Sequence, residues 1–351
     1  DVDALDWPRS APGPAFDVPL SEIMDVLVET GAALTADKFG FLTEALEYSA
    51  VASPLPREVL QRSFASLGSL FNRASLEFQV RNELGGADVL DGWREVQAPG
   101  GRRHRVRAFP PRLIHVIAGN APGVAALSVI RCALTKGVHL IKLPSNDLFS
   151  ATAILRSMAA VAPDHPVTRS FSAAYWRGGD TQVESVLFRP QFFDKLVAWG
   201  GESTIRSARQ YIGPGFELVA FDPKTSISFV GREAFATPTI LADVAERAAS
   251  DATIMNQQAC ASSRIQFIEA TEQQADEYCA LLQSRLGIER FTCSARQQPV
   301  AQHLREEIEG LRAMESLYRV WGGYDGKGLV IRSEDPVDFH PDGRIVNVVP
   351  V

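Results

Sequence analysis

Four stretches of this sequence carry side chains that could act on a carbonyl carbon or hold a nucleotide. The first is "IMNQQACASSRIQF", residues 254–267. Cys260 stands there behind three amides, Asn256, Gln257 and Gln258, and ahead of Arg264 and an apolar alternation. A cysteine reacts or ligates as its thiolate. The loop alone leaves three readings open: a small buried hydrophobe, a metal ligand, or a covalent nucleophile. The second stretch is "HVIAGNAPGVAA", where Asn120 follows an apolar run in a turn with Gly119, Pro122 and Gly123. It is either an ordinary turn residue or a rigidly held donor for an oxyanion. The third is "HLIKLPSND", in which Lys142 leaves an apolar run. That lysine either snorkels to the surface or donates to a nucleotide ribose. The fourth is "VAWGGESTIRSA", where Gly200 and Gly201 separate a strand from a helix and could turn free N–H groups toward a pyrophosphate. Glu202 at that helix start opposes a phosphate, and no GxGxxG is present.

The bulk composition narrows the setting. With 351 residues, 46% of them hydrophobic, the chain can bury one large core or several smaller ones. A net charge of −7 argues against general electrostatic binding of nucleic acid. The basic run "GRRHRVR" at 101–107 reads as a solvated hairpin; docking of an anionic cofactor or substrate is its sharper alternative. Cys132, Cys260, Cys279 and Cys293 form no CxxC pair, and their spacing with the six histidines matches no zinc pattern. No metal is therefore expected, and the cysteine usage fits a reduced, cytoplasmic protein. No apolar run has the length of a membrane span, and no signal peptide is visible. The chain starts without Met and stops on the strand-like "GRIVNVVPV", so the catalytic unit is expected to continue beyond it.

The elements that must position these groups follow from periodicity. Residues 1–18 read as an arm. From Ser21, the expected N-cap, to Leu84 the pattern is helical, with Leu60, Phe64, Leu67 and Phe71 on an apolar face. Residues 93–109 read as a hairpin around "APGG". From 112 onward short apolar strands alternate with helices, which predicts right-handed βαβ units and a mostly parallel sheet. Ligands meet such sheets at the carboxyl ends of the strands, which singles out loops 118–123, 142–147 and 199–204. Beyond Val230 a second unit is expected. Thr237 and Pro238 open a helix running through Met255, the Cys260 loop leads into a strand, and Thr271 with Gln274 caps the next helix.

These four pieces, in this order, resemble the aldehyde dehydrogenase superfamily, and most of all its acyl-CoA reductase branch, the LuxC-type fatty-acid reductases of bacterial bioluminescence. "IAGNAP" stands where the superfamily has Pro-Trp-Asn, and "KLPSND" where it has Lys-Pro-Ser-Glu with one residue inserted after Lys142. "WGGES" resembles the Gly turn, and "NQQACASSR" the Gln-x-x-Cys loop. "AWGGESTIR" and "FHPDGRIVNVVPV" resemble the reductase branch in particular. The likeness runs from about residue 90 to the end. It implies an α/β, aldehyde dehydrogenase-like fold: an N-terminal arm and helices (1–88), an atypical Rossmann NAD(P)-binding domain (89–230) and an α/β catalytic domain (231–351). It also implies roles. Cys260 is the acyl-accepting nucleophile, and Asn120 with the Cys260 backbone N–H forms the oxyanion hole. Lys142, Ser145, Asn146, Gly200, Gly201 and Ser203 hold the cofactor.

The implied reaction is NADPH-dependent reduction of an acyl-CoA, fatty acyl in the first place, to the aldehyde through a cysteine acyl-enzyme. NADPH is favoured because Asn146 stands where NAD-preferring relatives carry an acid; NADH stays possible, since the adjacent Asp147 reverses the preference if it points the same way. The departures are equally specific. The Glu-Leu-Gly-Gly stretch that activates water in hydrolytic members is replaced by "ELVAFDPKTSISFV", leaving Glu217 and Asp222 as the nearby acids. No Glu-x-Phe-Gly-Pro is evident, with "VWGGYDGKG" in roughly that part, and His340 is a lone loop histidine. The alternatives are an aldehyde dehydrogenase that oxidises aldehyde to acid and a non-catalytic acyl-binding subunit. The expected partners are an acyl thioester, a second copy through the 93–109 hairpin, or an acyl-donating enzyme.

Overall fold

The computed structural model describes residue 8 and residues 10–222, 224–295 and 299–351. Residues 1–7 and 9 of the expected arm lie outside the described residues. The chain divides into two compact units. One holds the described residues up to Pro54 together with Ser63–Pro223; the other holds Leu55–Arg62 and Lys224–Val351.

The first unit opens with α1 (Leu20–Thr35) and α2 (Phe41–Ala52). Helix α3 (Arg57–Ser66) is followed by a 3-10 segment at Leu67–Phe71, then by α4 (Arg73–Glu83) and the short α5 (Asp88–Asp91). The expected cap at Ser21 is not used, because α1 already begins at Leu20. The Leu20 N–H donates instead to Asp91 Oδ1 at 2.9 Å, a partner 71 residues away. Helix α1 crosses the 3-10 segment closely. A Cβ on Gly68 would sit 2.2 Å from Thr35 Oγ1 and 2.5 Å from the Gly31 carbonyl, so only glycine fits there. The expected apolar face is buried at Leu60, Phe64, Leu67 and Phe71.

The hairpin is β1 (Arg94–Gln97) and β2 (Arg103–Val106), antiparallel, with β2 exposed along its length. The alternating segment then gives β3 (Arg112–Val116), α6 (Pro122–Leu134), β4 (Val138–Lys142), α7 (Ser150–Val161) and β5 (Phe171–Ala174). It continues with α8 (Thr181–Leu187), β6 (Lys195–Trp199), α9 (Glu202–Arg209) and β7 (Glu217–Phe221). Among the described residues the strands form one parallel sheet in the order β5-β4-β3-β6-β7. The chain leaves β3 in one direction through β4 and in the other through β6. The switch point lies between β3 and β6, where the crevice for a ligand opens in such sheets.

The second unit contains β8 (Ser226–Val230), α10 (Pro238–Ala252), β9 (Ser263–Ile268), α11 (Glu272–Leu286) and α12 (Gln302–Arg312). It ends with β10 (Arg319–Trp321), β11 (Leu329–Arg332) and β12 (Ile345–Pro350). The sheet order is β10-β11-β12-β9-β8, parallel except for β10 on β11. Thr237 caps α10 by accepting from the Ile240 N–H at 3.2 Å, and Thr271 with Gln274 forms the capping box of α11. The expected lines at 88/89 and 230/231 differ from the compact units. The N-terminal helices pack on α6 and α7 of the first sheet, and β8 pairs with β9 and so belongs to the second unit. Helix α10 stops at Ala252, earlier than the expected Met255, because the chain turns left-handed at Met255.

Candidate active site

The loop that carries Cys260 is strained. Met255, Asn256 and Gln257 lie at φ 50°, 55° and 69°, three consecutive non-glycine residues in the left-handed region. Each such residue costs about 1–2 kcal/mol, and it persists only where its surroundings over-determine it. Here they do. The Asn256 N–H donates to Thr292 O at 3.0 Å. Asn256 Oδ1 accepts from the Ser294 N–H at 2.8 Å and from Arg344 Nη2 at 3.3 Å. Gln257 Oε1 accepts from the N–H groups of Arg344 (2.7 Å) and Ile345 (3.1 Å), and its Nε2 donates to Ile345 O at 2.9 Å. Two of the three amides before the cysteine are thus buried struts that fix the loop to the start of β12.

Arg264, only 5% exposed, holds the other side. One guanidinium nitrogen donates to Pro341 O at 2.6 Å and lies 3.6 Å from Asp342 Oδ1, while the other donates to the Gln257 carbonyl. Burial lowers the pKa of Arg264, and the charges of Asp342 and Cys260 act against that shift. This buried cation is bonded to the loop that carries the cysteine. His340 is kept below its ordinary pKa by burial and then by Arg264, with Asp342 opposing, so it is neutral at pH 7. Cys260 itself is exposed, and its carbonyl accepts from the Ser226 hydroxyl at 2.8 Å. Its backbone N–H has no hydrogen-bond partner among the described residues. The result is a rigid loop with an open thiol and an open N–H side by side.

The Gln257 struts make a direct prediction. Gln257→Ala leaves two buried N–H groups and one carbonyl without partners, so it is expected to lower stability by about 2–4 kcal/mol. Equilibrium urea unfolding followed by circular dichroism measures it; a loss under about 0.5 kcal/mol would show that the struts do not hold the loop.

The other predicted residues lie at the carboxyl ends of β3, β4 and β6 in the first unit. After β3 the chain turns through half-buried Asn120 into α6, whose first turn starts at Pro122 with no side-chain cap. The β4 loop interlocks with that turn. A Cβ on Gly119 would lie 2.0 Å from Asn146 Oδ1 and 2.9 Å from Pro144 Cγ, so glycine is required for the two loops to meet. Asn146 therefore braces the Asn120 turn, while Ser145 beside it is exposed. Asp147 is buried and accepts from the N–H groups of Ser150 (3.0 Å) and Phe149 (3.3 Å). Burial raises its pKa, against the hydrogen bonds at Ser150 and Phe149. Asp147 is thus committed to the start of α7.

Lys142 is no snorkelling lysine, being 8% exposed at the end of β4. Its Nζ lies 6.0 Å from the ring centroids of both Tyr175 and Trp176. Burial lowers its pKa, and buried Glu184 opposes that. Glu184 is in turn fixed by the Gly179 N–H at 2.9 Å and by Trp176 Nε1 at 3.4 Å. At β6 a Cβ on Gly200 would strike Thr204 at 2.8 Å, while Gly201, the N-cap of α9, has nothing within 4 Å of that position. Ser203 is exposed on the first turn, and Glu202 pairs with Arg206 one turn on. Trp199 stacks on Phe221 at 3.9 Å and 5°, an aromatic wall at the ends of β6 and β7 that the sequence reading missed. Two aromatic residues, each closing a strand beside its neighbour, were the available signal. Glu217 sits at the opposite, amino end of β7 in an ion pair with Lys195.

A family model described as "Acyl-CoA reductase (LuxC)" matches residues 15–351. The chain belongs to the LuxC family. Among curated LuxC-like proteins, the long-chain acyl-protein thioester reductase of Photorhabdus laumondii is 31% identical over 313 residues, 87% of this chain and 60% of that protein. The Vibrio harveyi protein of the same description is 26% identical over 339 residues, covering 95% of this chain and 68% of its own length. The Photorhabdus luminescens relative is 34% identical over 225 residues, 64% of this chain and 43% of that one. The matched part thus spans 43–68% of the length of these three relatives. Its fold is the aldehyde dehydrogenase one. An oxidoreductase from Marinobacter aquaeolei superposes with a TM-score of 0.70 at 12% identity, covering 99% of this chain and 71% of that one. A NADP-dependent glyceraldehyde-3-phosphate dehydrogenase from Bacillus halodurans, complexed with NADP, gives 0.67 at 12% identity over 96% of this chain and 70% of that one. The helical N-terminal segment and the Rossmann-like parallel sheet expected from the sequence are both present.

Proposed function

We propose that this chain reduces an acyl thioester to the aldehyde through an acyl-enzyme on Cys260, with NADPH as reductant. The observation that carries the reading is the Cys260 loop. A thiol is presented in the open on backbone whose strain is held by buried hydrogen bonds, as expected of a pre-organised nucleophile rather than a core cysteine. In the proposed sequence the Cys260 thiolate attacks the thioester carbonyl. Asn120 and the Cys260 N–H take the oxyanion, and the carrier thiolate leaves. NADPH, when bound, supplies the hydride. Cys260 then holds a thiohemiacetal, which collapses to the free aldehyde and returns the thiolate. Glu217 is engaged in an ion pair with Lys195, and the Glu-Leu-Gly-Gly stretch of hydrolytic members is absent, which supports reduction over hydrolysis of the acyl-enzyme.

The relatives named for long-chain acyl-protein thioesters suggest a long fatty acyl group, carried on coenzyme A or on a partner protein. The exposed hairpin, with Trp93 at its base, is the proposed contact for a second copy. For the cofactor, Lys142 holds the ribose, Gly200 and Gly201 lie against the pyrophosphate, and Ser145, Asn146 and Ser203 complete the rim. Asp147, turned toward α7, leaves room for a 2′-phosphate and so for NADPH over NADH. Lys142→Ala is expected to weaken NADPH binding about tenfold or more, the value of a hydrogen bond to a charged group. Quenching of protein fluorescence by NADPH measures this directly, and unchanged affinity removes Lys142 from the site.

The test of the reaction uses radiolabelled acyl-CoA over a range of chain lengths. Label is expected on Cys260, discharged as aldehyde when NADPH is added and more slowly with NADH. Discharge as free fatty acid would assign the chain to hydrolytic aldehyde dehydrogenase chemistry instead. Stable label that NADPH does not discharge would make it an acyl-binding subunit.

A further inference from the structure

The core of the first unit contains a polar cluster that the proposed reaction does not use. His115 on β3, His139 on β4 and Cys132 on α6 each place one ligand-type atom within 4.8 Å of the other two. They are 6%, 1% and 2% exposed, respectively. Cys132 Sγ lies 3.0 Å from His115 Nε2. The two imidazoles are 5.4 Å apart by ring centroid, and His139 stacks on Phe171 at 5.1 Å. Parallel pairing sets β3 Leu113 beside His139 and β4 Ile141 beside His115, so both histidines project to the face that α6 covers.

As a purely neutral cluster this arrangement is costly. A buried polar group without a hydrogen bond costs about 1–3 kcal/mol. Among the described residues neither ring nitrogen of His139 has a hydrogen-bond partner; the Cys132 carbonyl is near the ring but not in hydrogen-bond geometry. One S–H···N contact between Cys132 and His115 satisfies only part of the set. A neutral imidazole keeps one ring nitrogen with a lone pair that can ligate. Two neutral imidazoles and a thiol meeting from three elements, one of them unpartnered, is the donor set of a soft cation.

We propose that His115, Cys132 and His139 form a buried three-coordinate site for a soft monovalent cation of the Cu⁺ class. On binding, a metal–sulfur bond replaces the Cys132 S–H bond and the proton leaves to solvent, while each imidazole gives a lone pair and no electron is transferred. Charge favours the monovalent ion: Cu⁺ with one thiolate is neutral, whereas Zn²⁺ with one thiolate leaves a net positive charge in a dry core. Bonds of about 2.0–2.3 Å place ligand atoms roughly 3.5 Å apart, so closing the present separation asks for about 1 Å of side-chain movement. The site ties the central strand to its neighbour and to the helix joining them, and it acts as a structural pin. Its spacing, 17 and then 7 residues, matches no linear metal motif because three separate elements supply the ligands.

The test is made on the full chain in a Cys260→Ala background, so that the exposed thiol does not bind metal. The protein is produced in copper- or zinc-supplemented medium, purified without oxygen, and assayed by elemental analysis and by competition with a Cu⁺ chelator. About one Cu⁺ per chain is expected, with a Tm several degrees above that of the metal-free protein. Cys132→Ala and His139→Phe, checked for fold by circular dichroism, are expected to lose both the metal and the Tm shift. One Zn²⁺ per chain lost in the same variants would overturn the monovalent assignment. Less than about 0.1 equivalent of either ion, or equal metal in wild type and variants, would overturn the site.

Discussion

Cys260→Ala is expected to abolish acyl transfer, lowering NADPH-dependent reduction of acyl thioesters by at least a factor of about 10³. Loss of a covalent nucleophile has cost as much as about 10⁶ in hydrolases whose remaining machinery stayed intact. The fold should not suffer. Cys260 is exposed, its side chain packs into no core, and the hydrogen bond it receives from the Ser226 hydroxyl uses the backbone carbonyl. Stability is therefore expected within about 0.5 kcal/mol of wild type, and NADPH affinity is expected to be unchanged because the proposed cofactor residues lie on other loops. The decisive measurement pairs labelling with turnover: no radiolabel retained from acyl-CoA and no aldehyde formed. An unchanged rate in Cys260→Ala would sink the covalent mechanism. A lost rate with intact label would move the nucleophile elsewhere; the other three cysteines are buried, and burial raises the pKa of Cys132 and Cys279 well above that of a free thiol.

How much of this was legible in the sequence depends on the range of the interaction involved. The βαβ alternation, the hairpin, the Thr237 and Thr271 caps and the positions of Asn120, Lys142 and Cys260 were legible because each rests on a local pattern of a few residues. The cap of α1 was not. Ser21 is a good local candidate, but Asp91 takes the N–H of Leu20 from 71 positions away. The compact units divide at 223/224 while the sequence pattern divides at 230/231, because strand pairing, which assigns β8 to the second sheet, is non-local. The left-handed run at Met255–Gln257 was equally hidden. In "IMNQQ" only Asn256 readily adopts positive φ; the bonds from Arg344, Ile345, Ser294 and Thr292 hold the run there. The direction of Asp147 turned on which of two adjacent polar residues caps a helix and which braces a glycine, a matter of ångströms that spacing does not resolve. The cluster of His115, Cys132 and His139 appears only once three elements are folded together.

Asn120→Ala carries the second large expected effect, a fall in kcat of about 10²–10³, or about 2.7–4 kcal/mol of barrier, which is the usual cost of removing one oxyanion donor. The argument rests on rigidity. A donor stabilises developing charge only if it needs no reorganisation when the charge appears. The Asn120 turn is built that way: it follows a fully paired central strand and precedes a helix started by Pro122. Beside it, Asn146 and Pro144 press on Gly119 at distances that exclude any other residue. Asparagine also has the right charge type, since it donates without itself titrating. The split between kinetic constants separates this role from a structural one. An oxyanion donor lowers kcat and kcat/KM together, leaving NADPH affinity and Tm near wild type. A turn residue would instead lower Tm and loosen NADPH along with catalysis, because the same turn braces the β4 loop that carries Lys142. Asn120→Asp sharpens the test: it keeps the size and turn propensity of the side chain but sets an anion at the proposed oxyanion position, so it should be at least as slow as alanine. A fast Asn120→Asp enzyme would remove Asn120 from the oxyanion site and leave it as a turn residue alone.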